Sequence, residues 1–95
     1  MVSKRNIRLP TRFDFSYHTI FNKQCDELLS AAEDGDIELD FSQVQYLDSS
    51  ALGMLVLLAK KNDNSKKRHL IIRGAQGAAL DILNMANMHK IYAFA

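Results

Sequence analysis

An apolar run, Val44-Gln45-Tyr46-Leu47, stops at Asp48-Ser49-Ser50, and a second one, Ala51-Leu52-Gly53-Met54-Leu55, starts at once. The first run has the length and composition of a buried strand, and the second extends to about Asn62 with helical spacing. Three small polar residues are all that separate them. A strand that feeds directly into a helix points to an α/β fold. It also creates a chemically special place, because the first N–H groups of a helix have no intrahelical acceptor and the helix dipole leaves partial positive charge there. Such a start accepts a side-chain oxygen as a cap or a phosphate as a guest. The plainest reading of Asp48-Ser49-Ser50 is capping. Ser49 is expected to cap the helix or point inward, and Asp48 either is a second cap or positions a neighbouring hydroxyl.

The rest of the chain keeps the same alternation. Lys4–Leu9 carries Ile7 and Leu9 in strand spacing before Pro10 removes a ladder donor. A helix is expected from a Ser16 cap to about Ala32, with Ile20, Gln24, Glu27 and Leu28 in register and Asp34-Gly35-Asp36 as its stop. Cys25 and Leu29 lie one turn apart on it, which makes Cys25 a packing residue. Ile37–Phe41 alternates apolar and acidic residues as a strand, and Ser42-Gln43 turns into the strand that ends at Leu47. His69–Arg73 reads as a further strand, Gly74 as a turn and Gln76 to about Asn87 as a helix. Alternating strands and helices favour a mostly parallel sheet with helices packed against it.

Within the central helix, Leu52, Leu55, Val56 and Ala59 form the arc expected to face the sheet. Met54, Leu57 and Leu58 fall outside its centre. This helix is therefore either covered on more than one side by its own domain or presents an apolar strip to a partner. Gly53 sacrifices about 1 kcal/mol of helix propensity relative to Ala, so close approach of the sheet backbone or of a partner is expected at the first turn.

Composition narrows the function. Ninety-five residues suffice for one small domain, taken as residues 1–95, and a formal net charge of +1 gives no general pull toward nucleic acid or anionic lipid. The cations Lys60, Lys61, Lys66, Lys67 and Arg68 read as a solvated helix end, with no interleaved aromatics and Asp63 breaking the run. A single cysteine, no apolar leader at the N-terminus and no run able to span a bilayer point to the reducing cytoplasm. His18, His69 and His89 lack ligand spacing, so no metal is expected. Gly74-Ala75-Gln76-Gly77 lacks the Lys-Ser/Thr of a phosphate-binding loop, and Asp48–Gly53 is not a glycine-flanked nucleophile elbow. Neither enzymatic activity nor a cofactor is expected of the chain itself.

Ile37–Phe41 followed by Val44–Leu55 resembles the STAS domain of bacterial anti-sigma factor antagonists, as do His69–Arg73, Leu80–Leu83 and Met88–Phe94 downstream. The likeness runs from about Arg12 to the end, with residues 1–11 matching weakly as a short first strand. Two departures stand out: Ala51 occupies a position where the family usually has Gly, and that first strand is shorter than usual. The resemblance implies a mixed, mostly parallel sheet of four to five strands with three to four helices packed against it. It also implies that a partner kinase phosphorylates the second serine of the triplet, which falls on Ser50, with Asp48 and Ser49 in support. A phosphoryl group there adds nearly two negative charges where the helix dipole tolerates them. The implied partners are an anti-sigma factor with serine-kinase activity and an opposing serine phosphatase. The partner surface is expected to comprise Ala51, Gly53, Met54 and Leu57. The alternative within the same resemblance is a STAS subunit of a membrane-associated ABC phospholipid transport complex, whose junction more often reads Asp-Ser/Thr-Ala/Gly-Gly-Leu-Ala.

Overall fold

Alternating apolar residues form the central strands. In the computed structural model, which describes residues 5–30, 35–62 and 69–95, β1 (Arg5–Arg8), β3 (Ile37–Asp40), β5 (Leu70–Arg73) and β6 (Ala93–Phe94) make a sheet in the order β1-β3-β5-β6. Every pairing is parallel, with Ile7, Leu39 and Ile72 in register. Those three side chains are buried and join one core with the helices. Apart from Ile71, the other side of β1, β3 and β5 is polar, and it is stitched by ion pairs. Arg8 reaches Asp40 (3.6 Å), and the Arg73 guanidinium donates through Nε and Nη2 to the buried Glu38 carboxylate at 3.1 and 3.0 Å.

A second, two-stranded sheet continues the first. Leu9 N still donates to Asp40 O, but Pro10 has no N–H and the ladder breaks. Three residues, Leu9–Thr11, then span the same gap as five, Phe41–Gln45, and the Gln43 side chain fills the mismatch by donating to Leu9 O (2.8 Å). Thr11 O accepts from both Gln45 N and Tyr46 N. Pairing then resumes in parallel as β2 (Arg12–Phe13) with β4 (Tyr46–Leu47).

Three helices complete the fold: α1 (His18–Ser30), α2 (Ser49–Lys61) and α3 (Gly77–Met85). Ser16 is not the cap of the first. Asp14 caps a 3₁₀ turn at Phe15–Tyr17, accepting from Ser16 N at 3.0 Å, and the chain enters α1 through that turn. That extra turn rotates the helix, so Phe21 and Cys25 are its buried residues while Ile20 is 51% exposed. Phe21 meets Phe13 and Phe13 meets Phe41, with centroids 5.3 and 6.2 Å apart. Burial pushes the Cys25 thiol up to about 12, which fits a packing residue. The expected end of α1 at Ala32 and the Asp34 part of its stop lie outside the described residues, as do Asp63–Arg68 of the polar loop.

The arc expected for α2 is corrected too. Its buried residues are Ala51, Met54, Leu55 and Leu58, with Leu52, Val56 and Ala59 only partly covered. The helix is apolar on nearly every side, so periodicity alone could not set its rotation. It packs against α1 and β4, and the Tyr92 hydroxyl donates to Leu55 O at 2.7 Å from the segment leading into β6. Coverage by its own domain on more than one side accounts for Met54 and Leu58. Leu57 is left at 44% exposure.

Candidate functional site

Strand β4 ends at Leu47, and Asp48 turns the chain in an extended conformation (φ −109°, ψ −176°) into α2. Its Oδ1 accepts from Ala51 N at 2.9 Å. Asp48 is therefore the cap, and its carboxylate holds the first turn by satisfying one otherwise unpaired N–H. Ser49, expected to cap or to point inward, is exposed because that role is already filled. Ser50 is half-buried one residue further on. Among the described residues neither serine hydroxyl has a hydrogen-bond partner. Two free hydroxyls on a capped first turn are accessible to an external reagent.

From these serines an uncovered stripe runs along α2. Ser49, Gly53, Leu57 and Lys60 are exposed at spacings of four, four and three residues, so they share one side of the helix, with Ser50 on its flank. A Cβ built on Gly53 meets no atom within 4 Å. The sheet backbone does not approach this glycine. Of the two reasons expected for a glycine here, close approach within the domain is removed. Two residues expected on the partner surface do not reach it: Ala51 is 0% and Met54 8% exposed, both committed to the core. Ser50, Gly53 and Leu57 remain.

The helix carries no acidic residue, and Lys60 and Lys61 lie in its last turn, Lys61 pairing with Asp26 at 3.4 Å. Lys66, Lys67 and Arg68 lie outside the described residues. The histidines lie apart from the serines in their contacts: His18 Nδ1 is 2.8 Å from Phe15 O, and His69 Nδ1 is 3.1 Å from Asp36. Among the described residues no group of three or more His, Cys, Asp or Glu could hold a metal ion.

A second set of side chains flanks the junction, and sequence reasoning missed it. Arg12 pairs in register with Tyr46, and its guanidinium lies 4.8 Å from the centre of that ring. Arg12 Nε also donates to Asp14 Oδ2 at 2.8 Å. The Ser16 hydroxyl, donating to Asp14 Oδ1, is the main reason the Asp14 carboxyl is more acidic than usual, and Arg12 adds to it. A two-residue strand between Pro10 and Asp14 is too short to show alternation. One signal was present, however: Asp14-Phe15-Ser16 repeats the Asp-x-Ser spacing of Asp48-Ser49-Ser50 ahead of a helix.

With this geometry established, comparison with known proteins gives a family. The family model described as "Mlab, STAS domain" matches residues 3–93. The chain belongs to the STAS-domain family. A solved structure, that of a candidate anti-sigma factor antagonist from Thermotoga maritima, is 20% identical and superimposes with a TM-score of 0.77 over 99% of this chain and 81% of that one. At that identity the shared property is the fold. No curated protein matches the sequence. The STAS architecture agrees with the α/β fold expected from the sequence, and among the described residues no helix is long and apolar enough to cross a membrane.

Proposed function

We propose that this STAS domain is an anti-sigma factor antagonist working in the cytoplasm as a phosphorylation-controlled protein-binding switch. The observation that carries the reading is the free hydroxyl of Ser50 beside a stripe of α2 that the domain leaves bare, centred on Gly53 and Leu57. In the unphosphorylated form this stripe docks on an anti-sigma factor with serine-kinase activity. The kinase transfers the γ-phosphoryl group of ATP to Ser50 Oγ, forming an O–P bond, releasing ADP and passing the hydroxyl proton to the kinase's base. Nucleotide and metal belong to the kinase, so the domain needs no cofactor of its own. Asp48 supports the step by fixing the first turn through Ala51 N. Ser49, exposed on the same turn, is the neighbour the kinase must distinguish from Ser50.

A phosphoserine carries nearly two negative charges, and a docked contact that excludes water penalises an unpaired charge by a few kcal/mol. Phosphorylation therefore releases the partner while the fold persists. An opposing serine phosphatase resets the switch.

A second reading is supported by the description of the matching family model. In it the domain is a STAS subunit of a membrane-associated ABC phospholipid transport complex, and the same stripe of α2 faces the ATPase without a phosphorylation cycle. The paired serines at the junction favour the switch. Affinity capture from the native cytoplasm, with phosphosite mapping by mass spectrometry, separates the two. A serine-kinase anti-sigma factor with phosphate on Ser50 supports the first reading. An ABC ATPase with unmodified serines overturns it in favour of the second.

A further inference from the structure

We infer that Arg12 grips the phosphoryl group on Ser50, so that the modified state is read and held by a side chain from the neighbouring strand. The inference rests on the assignment of Ser50 as phosphoryl acceptor and adds to it the residue that receives the new charge. Arg12 and Tyr46 are register partners on the exposed side of the β2–β4 pair, and the extended residues that follow each strand, Asp14 and Asp48, continue the alternation on that side. Arg12 is therefore the diagonal neighbour of the residue that caps α2, and the Asp48 carboxylate acts on its guanidinium electrostatically.

The guanidinium is already oriented. Tyr46 supports its face at 4.8 Å and Asp14 holds Nε at 2.8 Å, which limits the rotamers left to an otherwise exposed side chain. Among the described residues only one of its five N–H donors is used, and Nη1 and Nη2 have no partner. A planar pair of donors with fixed orientation is the geometry that binds phosphate oxygens bidentately. Two carboxylates face it. Asp14 is engaged by the Ser16 hydroxyl and by Nε itself, and Asp48 by Ala51 N. Neither competes for the terminal nitrogens. Ser50 lies two residues beyond Asp48, on the first turn of α2, and phosphorylation adds three acceptor oxygens and nearly two charges to that turn.

The test needs neither kinase nor partner. Phosphoserine is installed at position 50 by genetic-code expansion in the full chain, and the phosphate is titrated by ³¹P NMR. A free phosphoserine has its second ionisation near pH 6. In the parent that midpoint is expected about one unit lower than in Arg12→Gln, because a paired cation favours the dianion. Arg12→Lys should recover only part of the difference, having charge without the fork. Equal midpoints in parent and Arg12→Gln, both folded by circular dichroism, would overturn the inference. So would a shift seen with phosphoserine at position 49 and absent at position 50. If the shift is present but capture from the native cytoplasm finds Ser50 unmodified, the grip stands and the switch reading fails.

Discussion

Gly53→Ala isolates the central feature of the α2 stripe, because the structure fixes the sign of its effect on stability. A mid-helix glycine is less favourable than alanine by about 1 kcal/mol, most of it backbone entropy lost on folding. The usual counterweight is a clash with the new methyl group. Here a Cβ on Gly53 meets nothing within 4 Å, so no counterweight exists. Gly53→Ala should therefore stabilise the domain by about 0.5–1 kcal/mol. In a chain of this size each kcal/mol moves the melting midpoint by about 4–8 °C. Urea unfolding followed by circular dichroism gives the free energy directly: the midpoint should rise with the slope unchanged. Binding should move the opposite way, since Gly53→Lys, equally unhindered in the isolated domain, would place a long side chain in the middle of the docked contact. A Gly53→Ala protein less stable than the parent would refute the picture of an open first turn. A Gly53→Lys protein that binds the captured partner with parental affinity would remove Gly53 from the surface.

Leu57 and Leu58 are adjacent in sequence and opposite in environment, at 44% and 2% exposure. Leu57→Glu should change stability by about 0.5 kcal/mol or less while weakening partner binding, whereas Leu58→Glu should fail to fold or lose several kcal/mol, as thermal unfolding and calorimetric titration of the two would show. Asp48→Ala removes the acceptor for Ala51 N and should cost about 1 kcal/mol, while Asp48→Asn, which keeps a capping oxygen, should cost only a few tenths in the same urea assay. Because burial raises the Cys25 thiol from its ordinary 9.0 to about 12, the folded state holds a proton that the unfolded chain releases first. Stability should therefore be intact below pH 9 and decline as the pH rises toward 12, and a disulfide reagent at pH 8 should modify Cys25 only at the rate of unfolding.

The main sheet was legible because its strands alternate, as in Ile37-Glu38-Leu39-Asp40, and because glycine or polar clusters separate them from the helices. The strand-to-helix junction was legible for the same reason, since the period changes at Asp48. What could not be read has specific causes. Strand β2 is only Arg12 and Phe13, held in place by pairing with Tyr46 and Leu47 more than thirty residues away, and two residues carry no period. The rotation of α2 depends on which of eight apolar side chains the neighbouring elements cover, and that is decided by α1, β4 and Tyr92 rather than by α2 itself. This is why Ala51 and Met54 were assigned to the surface and prove to be core. Arg12 gains its place beside Tyr46, next to the strand end that leads into α2, only through the minor sheet, so nothing local marked it.

The most direct measurement of the proposed switch compares Ser50→Asp with Ser50→Ala. A helix start tolerates an added carboxylate, so both variants should unfold within about 1 kcal/mol of the parent. Their binding should differ sharply. Titrated by calorimetry against the anti-sigma factor captured from the native cytoplasm, Ser50→Ala is expected to bind as the unmodified parent does, and Ser50→Asp to lose affinity by tenfold or more, the equivalent of about 1.4 kcal/mol. With ATP present, phosphate should appear on the parent at Ser50 and be absent from Ser50→Ala. Equal affinity of the two variants, or phosphate on Ser49 with Ser50 untouched, would contradict the assignment of Ser50 as the switch.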